Sequence, residues 1–139
     1  MFRLPIGLAL AAILGLTNAT RGSWSQVEGP RRGGNPEAAK MANPVRLTPA
    51  SIASGKRTYQ RLCALCHGPE GRGDGGGAGA GGQPADFTSG RWEYGGSDGE
   101  IRSVIRNGTS ADMQGYSDQI ADGEIWNLVN YLRSIGPQK

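Results

Sequence analysis

Cys63-Ala64-Leu65-Cys66-His67 constrains this chain more than any other stretch of it. Two thiols two residues apart, followed at once by an imidazole, form the C-x-x-C-H pattern of c-type haem attachment. Both sulfurs bond to the porphyrin, and the histidine binds its iron. Three other uses of the same residues can be weighed against composition. The chain holds two cysteines and one histidine. A structural zinc site ordinarily takes four N or S ligands, so zinc would need a carboxylate or water as well. A redox dithiol of the thioredoxin kind needs a βαβ pattern around it, and no such alternation is visible. A disulfide closing so short a loop adds little. Attachment of one haem c through Cys63 and Cys66, with His67 as an iron ligand, is the reading that uses all three residues.

The N-terminus fits export. Met1-Phe2-Arg3 is a short basic start, Leu4 to Leu16 is an apolar run, and Thr17-Asn18-Ala19 supplies small residues for cleavage. Residues 1–19 therefore read as a secretory signal and place the protein in the periplasm. An uncleaved signal acting as a weak anchor is the alternative. The run is shorter than the roughly 20 apolar residues of a membrane span. Residues 20–44 carry Gly29-Pro30, Gly33-Gly34, Asn35-Pro36 and Asn43-Pro44 without helical or strand period, and read as a flexible Pro/Gly-rich linker. The compact domain is expected over 45–139, enough for one small core that is marginal without help from a large apolar cofactor.

Charge sorts along the same boundary. The whole chain has formal charge +3, yet from Val45 onward ten basic residues meet ten acidic ones. A nucleic-acid role would want a basic stripe with interleaved aromatics, and none appears.

Three helices are predicted in the domain. Thr48-Pro49 is a threonine N-cap with proline at the first helical position, Leu47 being placed to pack back on Ile52. Ile52, Gly55, Tyr59 and Leu62 then recur at helical spacing into Cys63. The second helix starts at Ser97, with Glu100 completing a capping box, and stops at Asn107-Gly108. The third carries the stripe Ile125, Leu128, Val129, Leu132 and Ile135 before Gly136-Pro137. Trp126 and Tyr131 read as core packing. Ala121 stands where a serine or threonine cap is usual, so this helix begins uncapped.

Between the first two helices, nine glycines fall from Gly68 to Gly82. Gly71-Arg72-Gly73-Asp74-Gly75-Gly76 matches G-x-G-x-x-G, but no strand precedes it, and a mobile surface loop is expected instead. The second axial ligand follows from a census. Histidine is exhausted by His67, and beyond the signal only Met41 and Met113 remain. Met41 lies in the linker. Met113 lies in the loop Gly108–Ile120, where a segment can cross the haem face, and is the expected ligand, an open or water-bound iron being the competitor. Trp92, Tyr94 and Arg106 are candidate propionate contacts.

Several further segments carry a family resemblance. They are Gly55 and Tyr59 before Cys63–His67, Pro84-Ala85-Asp86-Phe87, Trp92-Glu93-Tyr94-Gly95, Asp98-Gly99-Glu100-Ile101, Ile105-Arg106-Asn107-Gly108, Met113-Gln114-Gly115-Tyr116 and Tyr131-Leu132-Arg133-Ser134. From about Pro44 to Ile135 the chain resembles class I cytochromes c, near the oxidase-subunit-like branch of bacterial single-haem proteins. That resemblance implies an all-α, small cytochrome c fold of about three to five short helices around one covalently bound haem. It implies Gly55 at a helix crossing beside Tyr131, and the Pro84 carbonyl as acceptor of the His67 Nδ1 proton. It also implies electron exit at the Cys63/Cys66 edge and a single-electron carrier rather than an enzyme. The expected partners are a dehydrogenase, cytochrome complex or terminal oxidase, docked transiently. A peroxidase-like haem enzyme with an open sixth site is the alternative function.

Overall fold

The computed structural model describes residues 29–77 and 82–137. The expected signal and the first part of the expected linker lie outside the described residues. Five α-helices and one 3-10 turn make up the regular structure among them, with no strand beyond an isolated bridge between Gly108 and Gln114. In chain order the helices are α1 (Pro36–Ala39), α2 (Pro49–Leu62), α3 (Ala64–His67), α4 (Asp98–Asn107) and α5 (Asp122–Ile135), with the 3-10 turn Phe87–Ser89 before α4. The all-α expectation holds. Among the described residues no helix is long and apolar enough to cross a membrane.

Local chemistry sets the helix ends. At α2 the Thr48 hydroxyl accepts the Ser51 N–H at 3.1 Å, and Ser51 Oγ accepts the Thr48 N–H at 3.0 Å. At α4 the Ser97 hydroxyl accepts from Glu100 N, and Glu100 Oε2 accepts from Ser97 N at 2.9 Å, the reciprocal box that satisfies two orphan donors. Helix α5 starts at Ala121 with no side-chain cap, as its sequence foretold. Leu47, expected to pack on Ile52, is instead 59% exposed.

The core sits where α2 crosses α5. Ile125, Leu128, Val129 and Leu132 are buried along one face of α5, with Trp126 and Tyr131 also buried. Helix α4 adds Ile101 and Ile105. Gly55 makes the crossing possible. A methyl group on it would overlap the Asn127 carbonyl and stand 2.9 Å from Leu128 Cα. Its contact is therefore a turn ahead of Tyr131, which packs instead on Tyr59 with ring centroids 5.1 Å apart.

Residues 29–44 differ from the expected flexible linker, since they pack on α4 and α5. Asn35 is 1% exposed; its N–H donates to Glu100 Oε1 at 2.8 Å and its side chain caps α1. Ala38 is fully buried against Gly99, where an added methyl would overlap the Ala38 carbonyl. Asn43 Nδ2 donates to Asn130 Oδ1 at 2.9 Å, and Arg102 donates to the Met41 sulfur. The strap is held by buried polar groups as much as by apolar ones. Hydrophobic periodicity carries no signal for such anchoring.

The glycine run also differs from expectation in its described part. Gly73 N, Gly75 N and Gly77 N donate to the carbonyls of His67, Cys66 and Leu65 at 2.8, 3.2 and 2.8 Å. The chain doubles back along the C-x-x-C-H turn instead of leaving it. Gly73 sits at φ +75°, and a methyl there would overlap the Pro84 carbonyl. Close approach and a left-handed backbone together require glycine there.

Two outcomes test this packing. Gly55→Ala gains helix propensity but overfills the crossing, and should destabilise the fold by about 1–3 kcal/mol in a urea titration. Burial alone would raise the Glu100 carboxyl, but hydrogen bonds from Ser97 backbone and hydroxyl and from Asn35 N hold it below its ordinary 4.5. Its stabilising contribution is thus present above the unfolded value and lost as pH falls through the folded one. Unfolding measured between about pH 5 and pH 3 should weaken more steeply for the parent than for Glu100→Gln.

Candidate functional site

The C-x-x-C-H segment occupies one helical turn. Cys63 closes α2, and Cys66 N and His67 N both donate to the Cys63 carbonyl, at 3.2 and 2.9 Å. In such a turn residues i+3 and i+4 both neighbour residue i, so Cys63 lies next to both Cys66 and His67. Both cysteines are free thiols and partly exposed. Burial, with the neighbouring Cys66 in second place, pushes the Cys63 thiol up to about 11, so it stays protonated near neutrality. Cys66 Sγ lies 3.4 Å from the Gly77 carbonyl.

His67 is 9% exposed and held from two directions. Its Nδ1 lies 3.1 Å from the Ala85 carbonyl, and its ring stacks on Phe87 with centroids 4.6 Å apart. A carbonyl only accepts, so Nδ1 carries the proton and the lone pair sits on Nε2, free to bind a metal. Burial lowers the His67 pKa from 6.5, the Ala85 hydrogen bond opposing it, and favours that neutral ring.

The acceptor corrects the expectation for Pro84 by one residue. The Pro84 carbonyl faces Gly73 instead. Successive carbonyls in an extended segment point to opposite sides, so a one-residue difference in register decides which meets the imidazole. The next anchor is Phe87 N, which donates to the Gly71 carbonyl at 2.7 Å and ties this segment to the loop folded on the motif. Tyr59 completes the surround. It is fully buried, and its hydroxyl donates to the Gly68 carbonyl at 2.6 Å.

Met113 is half-buried in a turn closed by Thr109 N donating to the Met113 carbonyl at 2.8 Å. The loop is pinned at two places. Tyr116 N donates to the Ile105 carbonyl at 3.0 Å, and Tyr116 Oη donates to the Leu62 carbonyl at 3.4 Å, one residue before Cys63. Met41, the other methionine considered, has its sulfur 3.6 Å from Arg102 Nη1, within the strap's contact with α4.

The three candidate propionate contacts separate. Arg106 pairs with Asp122 at 3.6 Å, and Tyr94 lies under Arg32. Trp92 stacks on Phe87 at 5.7 Å with the Arg133 guanidinium over it. Ala85, Phe87 and Arg133 were not among the expected site residues. All three lie in segments that carry the family resemblance, but sequence alone assigned none of them a role at the site.

The donor set fits a covalently attached haem. Two free thiols share one face of a turn, and the adjacent imidazole keeps Nε2 available. Among the described residues no three His, Cys, Asp or Glu side chains gather into a metal cage of their own.

Comparison with known proteins agrees. The chain is 33% identical over 96 residues to the "Cbb3-type cytochrome c oxidase subunit CcoP" of Azospirillum brasilense. That alignment covers 68% of this chain and 32% of the relative, so the chain spans about a third of the length of that protein. Among solved structures, the Kuenenia stuttgartiensis reducing HAO-like protein complex Kustc0457/Kustc0458 is similar at a TM-score of 0.63 and 32% identity, covering 71% of this chain and 49% of that one. The KustC0563 c-type cytochrome matches at a TM-score of 0.51 and 28% identity, covering 60% and 98%. Residues 50–132 match the family described as "Cytochrome C oxidase, cbb3-type, subunit III". The chain belongs to that family and is a class I c-type cytochrome.

Proposed function

We propose that this protein is an exported, periplasmic carrier of single electrons with one haem c bound through Cys63 and Cys66 and ligated by His67 and Met113. The observation that carries the reading is the fixed imidazole. With Nδ1 donating to Ala85 and the ring against Phe87, His67 offers Nε2 in one orientation beside the two thiols. The haem, when bound, supplies the Fe(III)/Fe(II) couple.

The chain's own residues do the rest. The Ala85 carbonyl makes the imidazole a stronger donor, because it shares the Nδ1 proton. Phe87 and Tyr59 exclude water from the histidine side. Met113 would be the sulfur ligand from the loop pinned through Tyr116 to Leu62, and the engagement of Met41 with Arg102 supports that choice. Thioether ligation and burial both favour the reduced state, suiting a carrier of respiratory electrons. The relatives named as subunits of a cbb3-type oxidase support a respiratory oxidase or a similar complex as partner. A carrier of this kind reacts without a substrate site, so it is not itself an enzyme.

Visible spectra of the haem-loaded protein in both redox states test the ligand set. The parent should be low-spin in both states, with a weak charge-transfer band at the red end of the ferric spectrum. Met113→Ala should abolish that band, shift the ferric iron towards high spin and lower the reduction potential. A high-spin parent with rapid peroxide turnover would contradict the carrier and favour an open sixth site.

A further inference from the structure

The geometry points to Arg133 as a positioning residue for the iron ligand, acting on His67 through Trp92 and Phe87. The inference rests on the carrier reading and adds the group that holds the imidazole from outside. A column of rings carries it. His67 stacks on Phe87 with centroids 4.6 Å apart and planes inclined by 27°, and Phe87 stacks on Trp92 at 5.7 Å and 26°. The Arg133 guanidinium lies over the indole, 5.8 Å from its centroid. Both ring pairs fall in the range where offset aromatic faces attract, and the cation is within reach of the ring quadrupole.

The cation is itself held in place. Arg133 Nε donates to Asp98 Oδ1 at 2.7 Å, and Nη2 donates to the Gly96 carbonyl. The two charged side chains are only 32% and 33% exposed, so neither moves as a free surface chain. A planar fork bonded to two partners has its plane fixed as well as its place. Gly96 lies against the same indole, where an added methyl would stand 2.9 Å from Trp92 Cδ1. The loop carrying Trp92, the first turn of α4 and the last turn of α5 therefore meet at one guanidinium.

This column controls what the Ala85 hydrogen bond leaves loose. One hydrogen bond tolerates a range of ring tilts, whereas a stacked face tolerates few. Ala85 is exposed, so the bond from Nδ1 depends on neighbouring rings for shelter from water. Phe87 is that neighbour, and it is only half-buried. Released from Trp92, its ring can rotate and admit water to the Nδ1 proton. The imidazole then loses the partner that sets its basicity towards iron. Trp92 and Phe87 transmit the position, and Arg133 with Asp98 sets it.

His67 is the only histidine of the chain, so labelling histidine alone with a heavy nitrogen isotope isolates one imidazole. The test follows exchange of its Nδ1 proton with water in the haem-loaded protein, the buried Leu128 and Val129 amides reporting global stability. Arg133→Gln should speed Nδ1 exchange about five- to ten-fold, well beyond any change at the core amides. Trp92→Leu should do the same, and the double variant should exchange no faster than Trp92→Leu alone. Arg133→Lys keeps the charge without the fork and should recover less than half of the loss. Asp98→Asn, the milder change, should give a rise of about two-fold. Unchanged exchange, effects that multiply in the double variant, full rescue by lysine, or core amides that speed up equally would overturn the proposal. A parent that carries no haem would remove the carrier reading, and the same Nδ1 exchange measured on it would still decide whether Arg133 positions His67.

Discussion

The hydrogen bond from His67 Nδ1 to the Ala85 carbonyl joins segments eighteen residues apart, and the surroundings of the attachment turn are organised about it. It fixes the imidazole tautomer. It also draws the chain after Pro84 against the motif, where Phe87 stacks on the histidine and its N–H reaches the Gly71 carbonyl. The glycine run must then fit between the motif and this segment, which explains why Gly73 leaves no room for a side chain. One ring orientation thus imposes backbone conformation on two loops. A single hydrogen bond contributes only about 1 kcal/mol net, so the loops and the ring hold one another cooperatively.

The helical frame supplies the rigidity that these loops lack. Helix α2 ends at the motif, and its position is set by the contact of Gly55 with Asn127 and Leu128 on α5. Helix α4 is fastened to α5 by Arg102, which bonds Asp122 through two nitrogens and lies over Trp126. The strap over residues 29–44 then closes on Glu100 and Asn130. A movement of α5 would therefore reach the thiols through α2. The core is small, and a haem in contact with it would be its largest apolar component.

Much of this was legible locally. Thr48-Pro49 and Ser97 with Glu100 announce helix starts because capping chemistry needs only neighbours along the chain. The α5 stripe announces a buried face because its period is that of the helix. The attachment turn was legible because its chemistry fixes spacing. Three features were not, and they share a cause. The acceptor on Ala85 in place of Pro84, the folding of Gly73, Gly75 and Gly77 onto the motif, and the anchoring of Asn35 on Glu100 all depend on backbone groups far apart in sequence. Every residue carries those groups, so composition and periodicity do not register which pair meets.

The central claim is that Cys63 and Cys66 hold one haem covalently while His67 waits beside them. The intact mass of the protein, produced in cells able to attach haem c and measured after denaturation, tests it most directly. The account predicts the mature chain plus one haem that denaturant does not remove, and loss of that added mass in the Cys63→Ser/Cys66→Ser variant. A mass equal to the chain alone, or to the chain less the two hydrogens of a Cys63–Cys66 disulfide, would contradict it.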